Sequence, residues 1–317
     1  MTKIPTIKLS NGVIMPILGL GTWQSTDDSV KKAVEIALTK SAYPLIDTAA
    51  CYGNEEIIGD VLSSLFKKGT IKREDVFVTT KLWTEFLNPK KAEEGVRACL
   101  KRLQLDNVDL LLAHMPISTD ASFSHETEVT VVDIWRGLED VYNKGLARAI
   151  GVSNWSEDQI ERVMQVAKVP IHNVQNELHI YLRQHKLLEV AKKHGISVTS
   201  YGSLGSPGRV NFALPGGQKL NWAPAPNALE DANVLELAEK HGKTPAQILL
   251  RYCIEKGIAV IPKSVNEERI AQNIDLFDFS LSKEEVAKLE SNPHQQRLFL
   301  QDFLIGHPED PFKNERH

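Results

Sequence analysis

Eight times along this chain a short run rich in Val, Ile and Leu is followed by a stretch whose apolar residues recur at helical spacing. That alternation constrains the fold more than any other feature. The runs lie at residues 17–22, 45–49, 76–81, 108–115, 147–154, 173–178, 198–202 and 259–264. The first helical stretch runs through Val30, Ala33, Val34, Ala37 and Leu38, with Asp27 or Asp28 as its cap. The others span 55–67, 91–103, 129–144, 157–166, 184–194, 245–256 and 267–277. Unbroken apolar runs belong to strands covered on both faces, which means parallel strands joined by helices. Eight such units predict an α/β fold, a (β/α)8 TIM barrel, rather than an open sheet. At 317 residues the alternative is two ordinary domains, but no linker divides the chain, so residues 1–317 are read as one barrel domain.

Four segments fall outside the repeat. Ser10-Asn11-Gly12 between the alternating runs 6–9 and 13–17 predicts an N-terminal β-hairpin lying outside the sheet, as a plug or lid. Residues 116–130, 203–233 and the tail 293–317 are long, polar and irregular, apart from two short apolar runs at 298–300 and 303–305. Barrel enzymes keep their chemistry on loops at the carboxyl ends of the strands, so these pieces are expected over a site there, one of them as a cofactor flap.

Composition narrows the partners. With 37 basic and 41 acidic residues the chain carries a formal charge of -4, which offers no broad basic face for nucleic acid or anionic lipid. No run approaches the roughly 20 apolar residues that span a bilayer. Cys51, Cys99 and Cys253 form no CxxC pair or metal spacing and are read as core filler in a reducing compartment. The expectation is a soluble cytoplasmic protein without a metal site, acting on a small molecule.

Three strand ends carry chemistry. The run at 45–49 delivers Asp47, with Tyr52 five residues on; the run at 76–81 ends on Lys81, and that at 108–115 on His114. An Asp at a strand end usually caps a turn and a nearby Tyr usually packs, so the first pair alone says little. If the runs are parallel neighbours, all four side chains meet at one rim and form a proton-transfer apparatus. Near the end of the chain, Lys263 and Arg269 flank Ser264 at a helix start, which is an anion site or a pair of solvated charges. Other motifs fail. Gln24 stands where the pattern begun by Gly19 and Gly21 needs its third glycine, and Leu237 stands where a phosphate loop ending in Gly242-Lys243-Thr244 needs its first. The glycosylation pattern Asn154-Trp155-Ser156 is taken as accidental.

Taken together, Gly19-Leu20-Gly21-Thr22-Trp23, the segment Asp47-Thr48-Ala49-Ala50-Cys51-Tyr52-Gly53-Asn54-Glu55, Lys81-Leu82-Trp83, Ala149-Ile150-Gly151-Val152-Ser153-Asn154, Gln175-Asn176-Glu177 and Ile261-Pro262-Lys263-Ser264 give the chain a specific likeness. In that order and spacing it resembles the aldo-keto reductase superfamily over nearly its whole length, most closely the aldose and aldehyde reductase branch. The resemblance implies an NADPH-dependent enzyme that reduces aldehydes or ketones to alcohols. It makes Tyr52 the general acid, Lys81 held by Asp47 its electrostatic helper, and His114, neutral, the group that orients the carbonyl. It places Ser153, Asn154 and Gln175 on the nicotinamide amide, Tyr201 against its ring, and Thr22, Trp23, Ser203, Leu204 and Ser206 along the cofactor. Lys263, Ser264 and Arg269 would take the 2′-phosphate beside Val265 and Asn266, with Gln272 and Asn273 near the adenine.

The same resemblance gives a substrate pocket of Trp23, Cys51, Trp83 and Met115, and a monomer. Met115 stands where the branch commonly has Trp, Gly202 where it often has Ser, and Gln272 where Glu is frequent. These departures bear on substrate and adenine recognition more than on reaction type. A second reading keeps the cofactor but makes the chain a regulatory subunit with little turnover. A third, a Schiff-base aldolase or isomerase using Lys81, has less in its favour.

Overall fold

The computed structural model describes residues 4–213, 219, 220 and 222–316. Thr6–Lys8 (β1) and Ile14–Pro16 (β2) form the expected antiparallel hairpin, with Ile7 opposite Met15. Gly12 turns it at φ +89°, a region that glycine enters without steric cost. Asn11 Nδ2 donates to the Arg148 carbonyl just ahead of a barrel strand, so the hairpin plugs the amino end of the barrel. It is not a lid over the site.

Eight strands follow in strict order: Leu20–Gly21 (β3), Leu45–Asp47 (β4), Phe77–Leu82 (β5), Leu110–Ala113 (β6), Ile150–Ser153 (β7), Asn173–Glu177 (β8), Ser197–Tyr201 (β9) and Ala259–Val260 (β10). Each pairs in parallel with the next. Parallel bridges Leu18 to Val260 and Gly21 to Lys263 join the last strand to the first. The Gly21 amide donates to the Pro262 carbonyl at 3.1 Å across that seam. A Cβ on Gly21 would lie 2.4 Å from the Ile261 carbonyl oxygen, so any larger residue would push the closing strands apart.

The helices outside the barrel are Asp27–Thr39 (α1), Glu55–Lys67 (α2), Ala92–Leu103 (α3), Val131–Asn143 (α4), Glu157–Met164 (α5), His185–His194 (α6), Ala232–His241 (α7), Pro245–Glu255 (α8), Glu267–Ile274 (α9) and Lys283–Glu290 (α10). Their ends follow local chemistry. Capping boxes start α4 at Thr130, α5 at Ser156 and α8 at Thr244, and each satisfies amides that the first turn leaves free. Gly195 and Gly242 close α6 and α7 in the left-handed region. Gly242 and Thr244 thus serve as helix caps, and Lys243 pairs with Asp275 and Asp278.

Three details depart from expectation. The cap position of α1 is Thr26, while Asp27 and Asp28 occupy its first turn. Helices α7 and α10 lie outside the eight repeats, although Asp231 caps the one and the Ser282–Glu285 box the other. Cys99 and Cys253 are buried as expected, but Cys51, read both as core filler and as a pocket residue, is exposed on the rim and does not fill the core.

Candidate active site

Because β4, β5 and β6 are parallel neighbours, their carboxyl ends share one rim and bring Asp47, Lys81 and His114 together. Tyr52 joins them from the short turn Ala50–Tyr52. The rest of that motif fixes the turn. Thr48 Oγ1 donates to Asn54 Oδ1, and Asn54 Nδ2 donates to the carbonyls of Thr22 and Ser25. Glu55 accepts from Thr80 Oγ1 at 2.5 Å and from Arg102 at 2.7 Å.

Lys81 is fully buried, and an ammonium has three protons to place. They go to Asp47 Oδ1 at 2.5 Å, the Thr48 carbonyl at 2.9 Å and Tyr52 Oη at 3.4 Å. The other Asp47 oxygen accepts from Gln175 Nε2 at 2.8 Å. Burial, reinforced by the Asp47 charge, pushes the Tyr52 phenol well above its ordinary range, so the phenol holds its proton. Burial, with Lys81 nearby, holds the His114 imidazole well below its ordinary range, so the ring is neutral. His114 stands edge-on to Trp83 at 5.1 Å and to Tyr52 at 5.8 Å between centroids. The result is a neutral donor beside a fixed cation and a neutral imidazole, a combination suited to giving one proton to a carbonyl oxygen.

A second network continues round the rim. Asn154 adopts φ +61°, uncommon for a residue with a side chain. That turn lets its Nδ2 donate to the His114 carbonyl at 2.9 Å and to Ser153 Oγ at 3.2 Å, while Oδ1 accepts from Tyr201 Oη. Buried as it is, Asn154 is no glycan acceptor. Gln175 thus braces Asp47, and Asn154, itself held by Ser153 and Tyr201, braces His114. Thr22 lies beneath them, its hydroxyl donating to the Asp47 carbonyl.

Beyond Tyr201 the chain offers donors without acceptors. Gly202, Gly205 and Ser206 all have positive φ, and among the described residues the amides of Ser203, Leu204 and Ser206 meet no protein acceptor. Glycine suits position 202, because a Cβ there would sit 3.3 Å from Ser206 Oγ. The Ser203 hydroxyl itself turns inward to Ser200 at 2.6 Å. Arg209 is only 6% exposed, and among the described residues its Nε has no partner and its guanidinium meets the carbonyls of Ser206 and Ala223. Further on, Lys263 and Arg269 pair with no carboxylate among the described residues, and partial burial, with the Arg269 charge nearby, lowers the Lys263 pKa.

The flanking residues have local duties. Ser264 Oγ accepts from the Asn266 amide, and Asn266 caps α9. Val265 is exposed, Gln272 donates to Glu268, and Asn273 is buried. Backbone amides in a Gly-rich turn, a buried guanidinium and two cations, none of them paired with a carboxylate among the described residues, form one anion-accepting track. A dinucleotide phosphate chain has the charge this track lacks.

The pocket walls come partly from segments remote in sequence. Trp83 packs on Phe303, and Trp23 on Phe212 and Phe299. Phe299 also meets Tyr201 and Trp222 edge-on. Met115, expected in this wall, is only 2% exposed and packs into the core. Strand β6 ends at Ala113 and the chain bends through residues 114–116, so His114 keeps some exposure at the mouth while Met115 turns into the core. Arg209, Phe299 and Phe303 were not anticipated, although apolar pairs in the tail signalled that something there had to be covered.

A closed parallel barrel with a buried acid, cation, phenol and imidazole at its carboxyl mouth, beside a track for an anionic cofactor, defines a barrel oxidoreductase. Comparison with known proteins gives the family. The profile of the Aldo/keto reductase family matches residues 17–292. The NAD(P)H-dependent D-xylose reductase I,II of Candida tropicalis is 38% identical over 90% of this chain and 93% of its own. Aldo-keto reductase family 1 member A1 of Gallus gallus is 38% identical over 97% of both. The crystal structure of a Bombyx mori aldo-keto reductase in complex with NADP superposes with a TM-score of 0.88 at 36% identity, covering 98% of this chain and all of that one. The chain belongs to the aldo/keto reductase family, as its motifs implied, and is an NADP(H)-dependent oxidoreductase acting on carbonyl groups.

Proposed function

We propose that Tyr52 is the proton donor of this reductase, with Lys81, Asp47 and His114 as its supporting residues, and that NADPH lies along the track from Tyr201 to Arg269. The observation that carries this reading is the placement of all three Lys81 donors, one of them on the phenol oxygen. When bound, the reduced nicotinamide supplies a hydride to the carbonyl carbon. Tyr52 gives its proton to the carbonyl oxygen. Lys81 stabilises the phenolate left behind, and Asp47 keeps the ammonium in place. His114 donates to the same oxygen and fixes the carbonyl's orientation. Tyr201 provides the platform for the ring, braced by Asn154, and the free amides near Ser206 with Arg209 take the diphosphate. Lys263, Ser264 and Arg269 hold the 2′-phosphate, which favours NADPH over NADH.

The walls of Trp23, Trp83, Phe299 and Phe303 suit aromatic or otherwise apolar aldehydes and modest ketones. We read residues 1–317 as one domain acting as a cytoplasmic monomer; among the described residues no helix is long and apolar enough to cross a membrane. The relatives reported above are named as reductases, which leaves the regulatory reading without support. The test is oxidation of NADPH on adding a reactive aromatic aldehyde, measured beside an aldose and with NADH in place of NADPH. Efficient turnover of the aromatic aldehyde with NADPH is expected. Equal efficiency with NADH would remove the role given to Lys263 and Arg269.

A further inference from the structure

Cys51 is unusual among the three thiols in being exposed at the rim, and its Sγ lies 3.5 Å from Nδ1 of His114. No other protein group contacts either ring nitrogen of His114 by hydrogen bond among the described residues, and Nε2 is not sealed from solvent. The ring plane is already held edge-on between Trp83 and Tyr52. What remains undetermined by packing is which nitrogen carries the proton, and a neutral imidazole can donate from only one.

We propose that Cys51 is a positioning residue that donates its S–H to Nδ1 of His114, so that the ring is held in the tautomer whose N–H is on Nε2 and is offered to the substrate carbonyl. Although the residue reaches solvent at the rim, desolvation about its sulfur pushes the thiol up to about 12, so the sulfur carries a proton to give. Desolvation beside Lys81 keeps the imidazole neutral, so Nδ1 carries the lone pair that receives it. With Nδ1 accepting, the ring proton resides on Nε2, the nitrogen left without a protein partner. The inference rests on the role given to His114 above, but the tautomer itself is readable without any turnover.

The experiment is a long-range nitrogen–proton correlation spectrum of protein labelled at histidine, recorded without cofactor, with the His114 signals assigned by their loss in His114→Gln. Wild-type protein is expected to show Nε2–H. Cys51→Val, which removes the donor, is expected to show a mixture of tautomers, and Cys51→Ser, whose hydroxyl can still donate, to restore Nε2–H. In steady-state assays Cys51→Val should lower kcat by about two- to ten-fold, the weight of one neutral hydrogen bond, with serine recovering most of it. A wild-type Nδ1–H tautomer, or an unchanged Nε2–H tautomer in Cys51→Val, overturns the proposal. Absence of NADPH-dependent turnover in the wild type would instead overturn the functional reading and leave the tautomer result standing.

Discussion

At the scale of single residues, the site is a set of protonation states fixed by surroundings. Asp47 and Lys81 are mutually satisfied and almost wholly buried, so removing one leaves an uncompensated charge inside the barrel. Lys81→Met should destabilise the fold by about 3–5 kcal/mol, seen as a lower urea midpoint. The double variant with Asp47→Asn should recover part of that loss, because neither charge then remains. A loss in the double variant equal to the sum of the singles would show that the pair is not coupled. Arg209 permits a separate check. Arg209→Leu should weaken NADPH binding and flatten its salt dependence, measured by quenching of tryptophan fluorescence; unchanged affinity would place its guanidinium off the diphosphate path.

Between residues and the whole lie the strands, caps and loops, and here the sequence speaks unevenly. Asp47, Lys81 and His114 were legible because each ends an apolar run, and a parallel barrel assigns all such ends to one rim. The tail was not legible, because what docks it is remote. The buried Glu177 carboxylate at the end of β8 accepts from the Leu298 amide on Oε1 at 2.7 Å and from the Phe299 amide on Oε2 at 3.0 Å, and Oε1 also meets His179 Nε2. No local pattern announces a contact across 121 residues. Cys51 was read as a pocket residue, but its contact with His114 was not, for the same reason: the two lie 63 residues apart.

Glu177→Gln should therefore loosen the tail, raising KM for apolar aldehydes while leaving NADPH binding within a few-fold; an unaltered KM would show that Phe299 is seated without this anchor. Strand β8 also fixes a pH response. His172, just ahead of it, accepts the Ile150 amide on Nδ1, and its buried Nε2 has no partner among the described residues. Burial pushes this imidazole down to about 4. Between the ordinary value near 6.5 and about 4 the unfolded chain binds the proton and the fold does not, so stability falls as pH falls through that window. Replacing His172 by Gln should flatten the decline of Tm between pH 6.5 and 4; an identical slope would mean that His172 is protonated in the native fold.

For the molecule as a whole, the barrel sets the rim and the added segments decide what enters it. The hairpin closes the amino end, where Arg73 and Arg148 also clamp the buried Asp109, and that end carries stability rather than chemistry. At the opposite end the loop after β9 and the tail converge on Phe299, so cofactor track and substrate wall share one aromatic cluster. Ligand that binds the folded state alone must stabilise it, by about 2.7 kcal/mol at a hundred times its Kd. The decisive measurement pairs that stabilisation with turnover in one variant. Tyr52→Phe removes a single oxygen, and the account predicts that NADPH still raises Tm as in the wild type while reduction of an aromatic aldehyde falls by about 10²- to 10⁴-fold. Turnover retained in that variant, with the NADPH-induced rise in Tm intact, would contradict the assignment of the proton to Tyr52 and with it the chemistry given to this site.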